Sequence, residues 1–198
     1  MNIEVKFRDP IIFLFTGKAR HGKDTAAGYL KECFEKDNKK VIFSQYAKYI
    51  KFYCKEMYGW DGSEETKPRE LLQKLGTEVI RNKLDKAEMF IERQVDDIEI
   101  YSYFYDAIMV SDIRLPREIE GLKEKYKKVV VINIFRPNFE SELSSEQKKH
   151  ITETAMDNYT DYDYKIINTT LDKLKEDMIE IYNKEINKKW WKNERSII

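Results

Sequence analysis

An α/β three-layer αβα sandwich built on a parallel sheet is the fold class this sequence predicts, and three observations carry the expectation. Short, unbroken apolar runs recur along the chain, as strands buried on both faces require. Segments with helical periodicity separate them. The first run leads straight into a loop rich in glycine and lysine, then a helix, then a second run. That βαβ order needs a crossover and favours parallel pairing.

The elements follow in order. Residues 11–15 are continuously apolar and form the first strand. In 26–34, Ala27, Leu30 and Phe34 share one stripe of a helix, which Asp37 and Asn38 close. Residues 41–43 make the second strand. From 46 to 100 the pattern is helical, broken at 59–68 by turn-forming residues, with Leu71, Leu72, Leu75, Val79 and Ile80 at helical spacing. Residues 107–111 and 129–135 are the third and fourth strands. Arg136 and Pro137 end the fourth and open a polar stretch to 161; 164–167 is a short fifth strand and 171–189 a closing helix. No repeat or linker divides the chain, so 1–198 reads as one domain. The excursion at 45–105 is too long for a simple crossover and is expected to cover a substrate, and 136–161 is expected to act as a lid.

Bulk properties remove several classes. The chain has 198 residues, enough for one continuous core. Its 36 basic and 36 acidic side chains leave no net charge, which argues against a nucleic-acid partner. Cys33 and Cys54 match no zinc or redox spacing and are expected to be buried free thiols. His21 and His150 are the only histidines, so no His/Cys metal cluster is expected, and solvent exposure is expected for both. Residues 1–10 are charged throughout and lack the apolar core of a secretory signal. No stretch approaches the roughly 20 apolar residues of a membrane helix. A soluble, cytoplasmic protein is the expectation.

The loop from Gly17 to Thr25 carries the chemistry. Glycine, four residues, then Gly22-Lys23 is the spacing of a phosphate-binding loop. Gly17 and Gly22 permit tight turns and close approach of main-chain N–H groups to phosphate oxygens. The helix N-terminus behind them adds positive dipole character, and Lys23 reaches terminal phosphates as a mobile charge. Gly17, Lys18, Arg20, Gly22, Lys23, Asp24 and Thr25 are the candidate contacts to a nucleotide's phosphates. The usual Ser or Thr after the lysine is replaced by Asp24, with Thr25 next. Two readings stay open: Asp24 holds Mg2+ through water, or Asp24 caps the helix while Thr25 supplies a hydroxyl.

Further candidates lie downstream. Asp112 and Arg114 follow the third strand at its carboxyl end, where parallel sheets place ligands, and Glu118 lies about one turn beyond. Arg69 opens a helix that Gly76-Thr77 interrupts, and a glycine there reads equally as close approach by another group or as helix–helix packing. Arg81 reads equally well as a solvated side chain. A nucleotide kinase would need a base slot, which would fall near Phe90 and Trp60; Arg136 opens a charged stretch that reads either as a lid over a transferred phosphate or as a solvated loop. Trp190 and Trp191 fit either packing on the domain or a dimer contact.

These stretches together resemble the phage-type deoxynucleoside monophosphate kinases. The likeness runs through Gly17 to Thr25, with its Gly-Lys-Asp-Thr ending, and through Tyr46 to Lys51. It continues in Arg69 to Glu78, Ser111 to Glu118, and His150 to Asp163. Tyr49 stands where the family usually has proline and Leu115 where it has phenylalanine; neither change removes a charged contact. The resemblance implies the nucleoside monophosphate kinase fold, with a parallel five-stranded sheet, a monophosphate-binding insertion and a lid. It also implies γ-phosphoryl transfer from ATP, with Mg2+, to a deoxynucleoside monophosphate. Lys23, Asp112, Arg114 and Arg136 would then serve catalysis. Lys51, Arg69, Gly76, Thr77, Phe90, Asp112, Arg114 and Glu118 would contact the acceptor. Homodimers occur in that group, so one stays open here. Two alternatives remain at this level: another small-molecule kinase of the phosphomevalonate type, or a regulatory ATP-binding protein without an acceptor.

Overall fold

The computed structural model describes residues 4–137, 139 and 151–190. Its strands are β1 (Ile11–Thr16), β2 (Val41–Ser44), β3 (Ala107–Val110), β4 (Val129–Phe135) and β5 (Tyr164–Ile167). All pair in parallel, in the order β2-β3-β1-β4-β5. The strand runs read from the sequence are therefore real, and the most apolar of them is the central one. β1 is buried along its whole length, with Phe13 opposite Met109 on one side and Val130 on the other.

Alternation along β1 divides the core into two layers. Phe13 and Phe15 face α1 (Lys23–Lys36) and the closing helix α7 (Leu171–Ile186), packing with Leu30, Phe34, Leu174 and Met178. Ile12 and Leu14 face α4 (Met89–Tyr101) and α5 (Pro116–Lys125), packing with Phe90, Ile98, Ile119 and Leu122. The helix after β1 thus lies on one face and the helix after β3 on the other. Between these neighbouring strands the carboxyl ends open into a crevice, the place where such sheets hold ligands.

The excursion predicted for 45–105 lies between β2 and β3. It comprises α2 (Lys48–Tyr58), the turn region carrying Gly59 and Gly62 at positive φ, α3 (Arg69–Gln73) and α4. One part differs from expectation. From Lys74 to Lys83 the helix continues with π geometry, in which Leu84 N–H reaches back five residues to Val79 O at 2.9 Å. Such widened turns recur at functional sites.

Cys33 and Cys54 are buried and free, as expected. Trp190 packs on the layer of Phe13, whereas Trp191 lies outside the described residues, as does His150. Most of the lid predicted for 136–161 also falls outside them; its described end carries a short helix, α6 (Ile151–Thr154). Among the described residues no helix is long and apolar enough to cross a membrane.

Candidate active site

Beyond β1 the chain turns through backbone conformations that explain its glycines. Gly17 has φ of 133°, and a Cβ there would meet Ile134 O at 2.2 Å. Gly22 has φ of 99° and abuts the Asn168 amide, which donates to His21 O at 2.9 Å. The exposed Arg20 takes a left-handed φ of 60°. Lys23 then opens α1 with its side chain folded back under the loop. Its Nζ donates to Gly17 O and Lys18 O, both at 2.8 Å. Burial, reinforced by the nearby Arg114 charge, lowers its pKa to about 8.

Asp24 is not the helix cap. Gly22 holds that position, and Asp24 lies one step inside the first turn, where its Oδ1 accepts from Ser111 Oγ at 2.5 Å. Asp24 and Thr25 are both exposed beside the loop. His21 overturns the expectation of solvent exposure. It is buried with edge contacts to Phe135 and Phe139, and its Nδ1 accepts from Arg136 N–H at 3.2 Å. Burial and the Lys23 charge hold its pKa below the usual histidine value. The imidazole works there as a neutral acceptor that ties the loop to the end of β4.

Every residue predicted to contact the acceptor lines one cavity beneath the helical excursion: Lys51, Arg69, Gly76, Thr77, Phe90, Asp112, Arg114 and Glu118. Each arrives from a different constraint. Lys51 is held by Gln45 Oε1 at 2.7 Å, and burial lowers its pKa. Asp112 accepts from Tyr46 N–H at 3.0 Å and Ala47 N–H at 2.9 Å, so its carboxylate fixes the entry to α2. Gly76 fits because a Cβ would come within 3.0 Å of Ile50 Cδ1. Of the two readings for this glycine, helix–helix packing is the one the structure bears out, since the π-helical stretch packs on α2 there.

Glu118 is 4% exposed. One carboxylate oxygen accepts from Arg114 N–H at 2.7 Å and Leu115 N–H at 3.0 Å, which completes the start of α5. The backbone donors favour its anion, but burial outweighs them and raises its pKa to about 7. Arg81 is the member sequence reading missed. It lies over the Phe90 ring at 4.4 Å, donates to Gly76 O at 3.1 Å and pairs with Glu118 at 3.4 Å. Its five-residue offset from Gly76 was the available signal, meaningful only once the π turn is known.

A second cavity adjoins the phosphate loop and includes Gly17, Lys18, Asn133 and Asp157. Lys18 pairs with Asp157 and donates to Glu153 O at 2.7 Å. Of the two residues after β3, only Arg114 lines both cavities; Asp112 lines the first alone. Trp60 is not part of either described cavity lining. Its indole N–H caps the local turn at Ser63 O, 3.2 Å away, which corrects the base-slot expectation for it. Arg136 contributes its main chain to His21, while its guanidinium lies over Phe139 at 4.8 Å.

Comparison with known proteins adds an independent line. The family model for deoxynucleotide monophosphate kinase matches residues 60–178. A curated protein of Acanthamoeba polyphaga mimivirus, provisionally assigned as a deoxynucleotide monophosphate kinase, is 27% identical over 182 residues, 80% of this chain and 88% of that one. Solved kinases overlap more loosely. Shikimate kinase from Aquifex aeolicus gives a TM-score of 0.46 at 12% identity, over 90% of this chain and 100% of the other. The APS kinase CysC of Mycobacterium tuberculosis, in complex with AMPPNP and APS, gives 0.45 at 11%, over 89% and 99%. Overlap of that degree adds nothing to the sheet order and loop geometry described above.

Proposed function

The chain belongs to the deoxynucleotide monophosphate kinase family and is a phosphotransferase, and from that premise we propose that it moves the γ-phosphoryl of ATP to a deoxynucleoside monophosphate. The observation that supports this reading most is the single wall between two cavities. One side holds the phosphate loop; the other gathers Lys51, Arg69, Arg81 and Arg114 around Phe90. An acceptor with an aromatic base and a phosphate group matches that second side.

In this reading an oxygen of the acceptor phosphate forms a bond to the γ-phosphorus while the bond from that phosphorus to the β,γ-bridging oxygen breaks. The electron pair leaves with ADP, and the acceptor becomes a deoxynucleoside diphosphate. The acceptor phosphate is largely dianionic near pH 7, because its second pKa is about 6, so the attacking oxygen needs no general base. Positioning and charge stabilisation then carry the rate. Main-chain N–H groups of the loop cradle the β- and γ-phosphates. Lys23 exchanges its two carbonyl acceptors for phosphate oxygens, and Arg114 faces the transferring group from the wall.

The donor set also suits Mg2+. Among the described residues no three His, Cys, Asp or Glu side chains form a metal cluster. Mg2+ bound to nucleotide needs only one or two protein oxygens, the rest coming from phosphate and water. The exposed carboxylate of Asp24 and hydroxyl of Thr25 would hold it. When bound, it supplies charge neutralisation on the β,γ-phosphate oxygens.

The enzyme would act on free nucleotides in the cytoplasm. The test is ADP release from Mg-ATP across dAMP, dGMP, dCMP, dTMP and the matching ribonucleotides. Turnover dependent on one or a few deoxynucleotides is expected. A flat panel despite ATP binding would overturn the acceptor assignment and favour a regulatory ATPase or another acceptor.

A further inference from the structure

Among the described residues, Arg114, Thr152 and Glu153 alone line both cavities. Glu153 has no place in the mechanism so far, yet its side chain is only 10% exposed. Its Oε1 accepts from Arg114 Nη1 at 2.5 Å, and its main-chain O accepts from Lys18 Nζ at 2.7 Å. It also lies near enough to Lys23 to favour that ammonium's charged form. One residue of α6 therefore touches the acceptor wall and the phosphate loop together.

A carboxylate between two phosphate-bearing ligands repels both, at a cost that low-dielectric surroundings enlarge. It does not act as a base here, since the dianionic acceptor has no proton to surrender. Its chemical use lies in the cation it holds. A guanidinium offers five N–H donors in a rigid plane, and anchoring one of them fixes where the others point. We propose that Glu153 is a positioning residue for phosphoryl transfer, which holds Arg114 at the boundary between donor and acceptor.

This rests on the kinase reading and extends it. While the γ-phosphorus passes between the two oxygens, charge collects on its equatorial oxygens, and an Arg114 held in place meets that charge without reorganising. The ion pair thus matters more in the transition state than in either ground-state complex, and its loss should appear in kcat rather than KM.

The test uses the full chain, with the acceptor that wild type turns over best. Glu153→Gln is expected to lower kcat by about 10²-fold, the scale of a misplacement near 1 Å. KM for ATP and for the acceptor should stay within about threefold of wild type. Glu153→Asp keeps the charge one methylene short and should recover about a tenth of wild-type kcat; it serves alone if the Gln variant fails to fold by circular dichroism. In an Arg114→Lys background, Glu153→Gln should add little further loss, because the two residues act as a unit. A kcat within twofold of wild type, or fully additive losses, would overturn the proposal and leave a tie that only anchors α6. A rise in kcat would overturn it differently, making Glu153 a placeholder that substrate phosphate must displace. No wild-type turnover with any acceptor would instead remove the kinase reading on which the proposal rests.

Discussion

The phosphate loop takes its shape from consecutive residues, Gly17 to Thr25, and chiefly from their main chain. The acceptor cavity gathers side chains from α2, α3, the π-helical stretch, α4, the end of β3, α5 and α6. The first is a rigid cradle with one mobile charge, Lys23, already buried at its centre. The second is an assembly of cations held by carboxylate or carbonyl partners. A contiguous backbone device serves whatever nucleotide brings a triphosphate. A cavity built from scattered side chains can select its ligand and be altered one contact at a time.

That contrast predicts different kinetic signatures. Lys23→Ala removes the one charge the loop cannot replace, and kcat is expected to fall by about 10³-fold or more with every acceptor. The fold should survive, since the deleted group is a buried ammonium held against its preference. Steady-state rates alongside a thermal melt check both statements; wild-type-like turnover would break the comparison at its donor end. Arg81→Ala should instead act on the acceptor alone. Its KM for deoxynucleotide is expected to rise by roughly 10- to 100-fold, the scale of a lost charge-assisted contact, while KM for ATP stays nearly constant. An equal rise in both constants would show that the two sides are not separable.

The smallest effect concerns Glu118 and is thermodynamic. Its folded pKa of about 7 lies above the ordinary value of 4.5, so its contribution to stability is complete below about pH 4.5 and is lost as pH rises through 7. The loss is on the order of 2 to 3 kcal/mol. Denaturant titrations of wild type and Glu118→Gln at pH 4.5 and 7.5 should show the variant losing less stability over that interval. Parallel slopes would mean that the backbone donors and Arg81 hold the carboxylate anionic after all.

What could be read from the residues follows the same division. Strands at the centre of the sheet announce themselves because burial on both faces leaves few polar positions, as in β1 and β4, where Thr16 and Asn133 alone are polar. The phosphate loop is legible because its glycines answer local backbone demands, such as the 2.2 Å that separates a Cβ at Gly17 from Ile134 O. Acceptor residues were reached through ordered motifs and not through periodicity. Arg81 escaped because ten residues of π geometry shift which side chains share a face, and an apolar pattern that short does not distinguish the two helices. His21 escaped because its burial depends on Phe135, Arg136 and Asn168, all more than 100 positions away. Trp60 reads from the sequence as a neighbour of a base slot, whereas its indole closes a local turn onto Ser63, three positions on.

In the proposed reaction the phosphoryl group leaves ATP on the loop and arrives on a ligand in the cavity of Lys51, Arg81 and Arg114. Following label from γ-phosphoryl-labelled ATP through the wild-type reaction, one deoxynucleoside monophosphate at a time, tests it directly. Label is expected in a deoxynucleoside diphosphate, formed only when a matching acceptor is present. Label appearing in inorganic phosphate at the same rate with and without acceptors would contradict it.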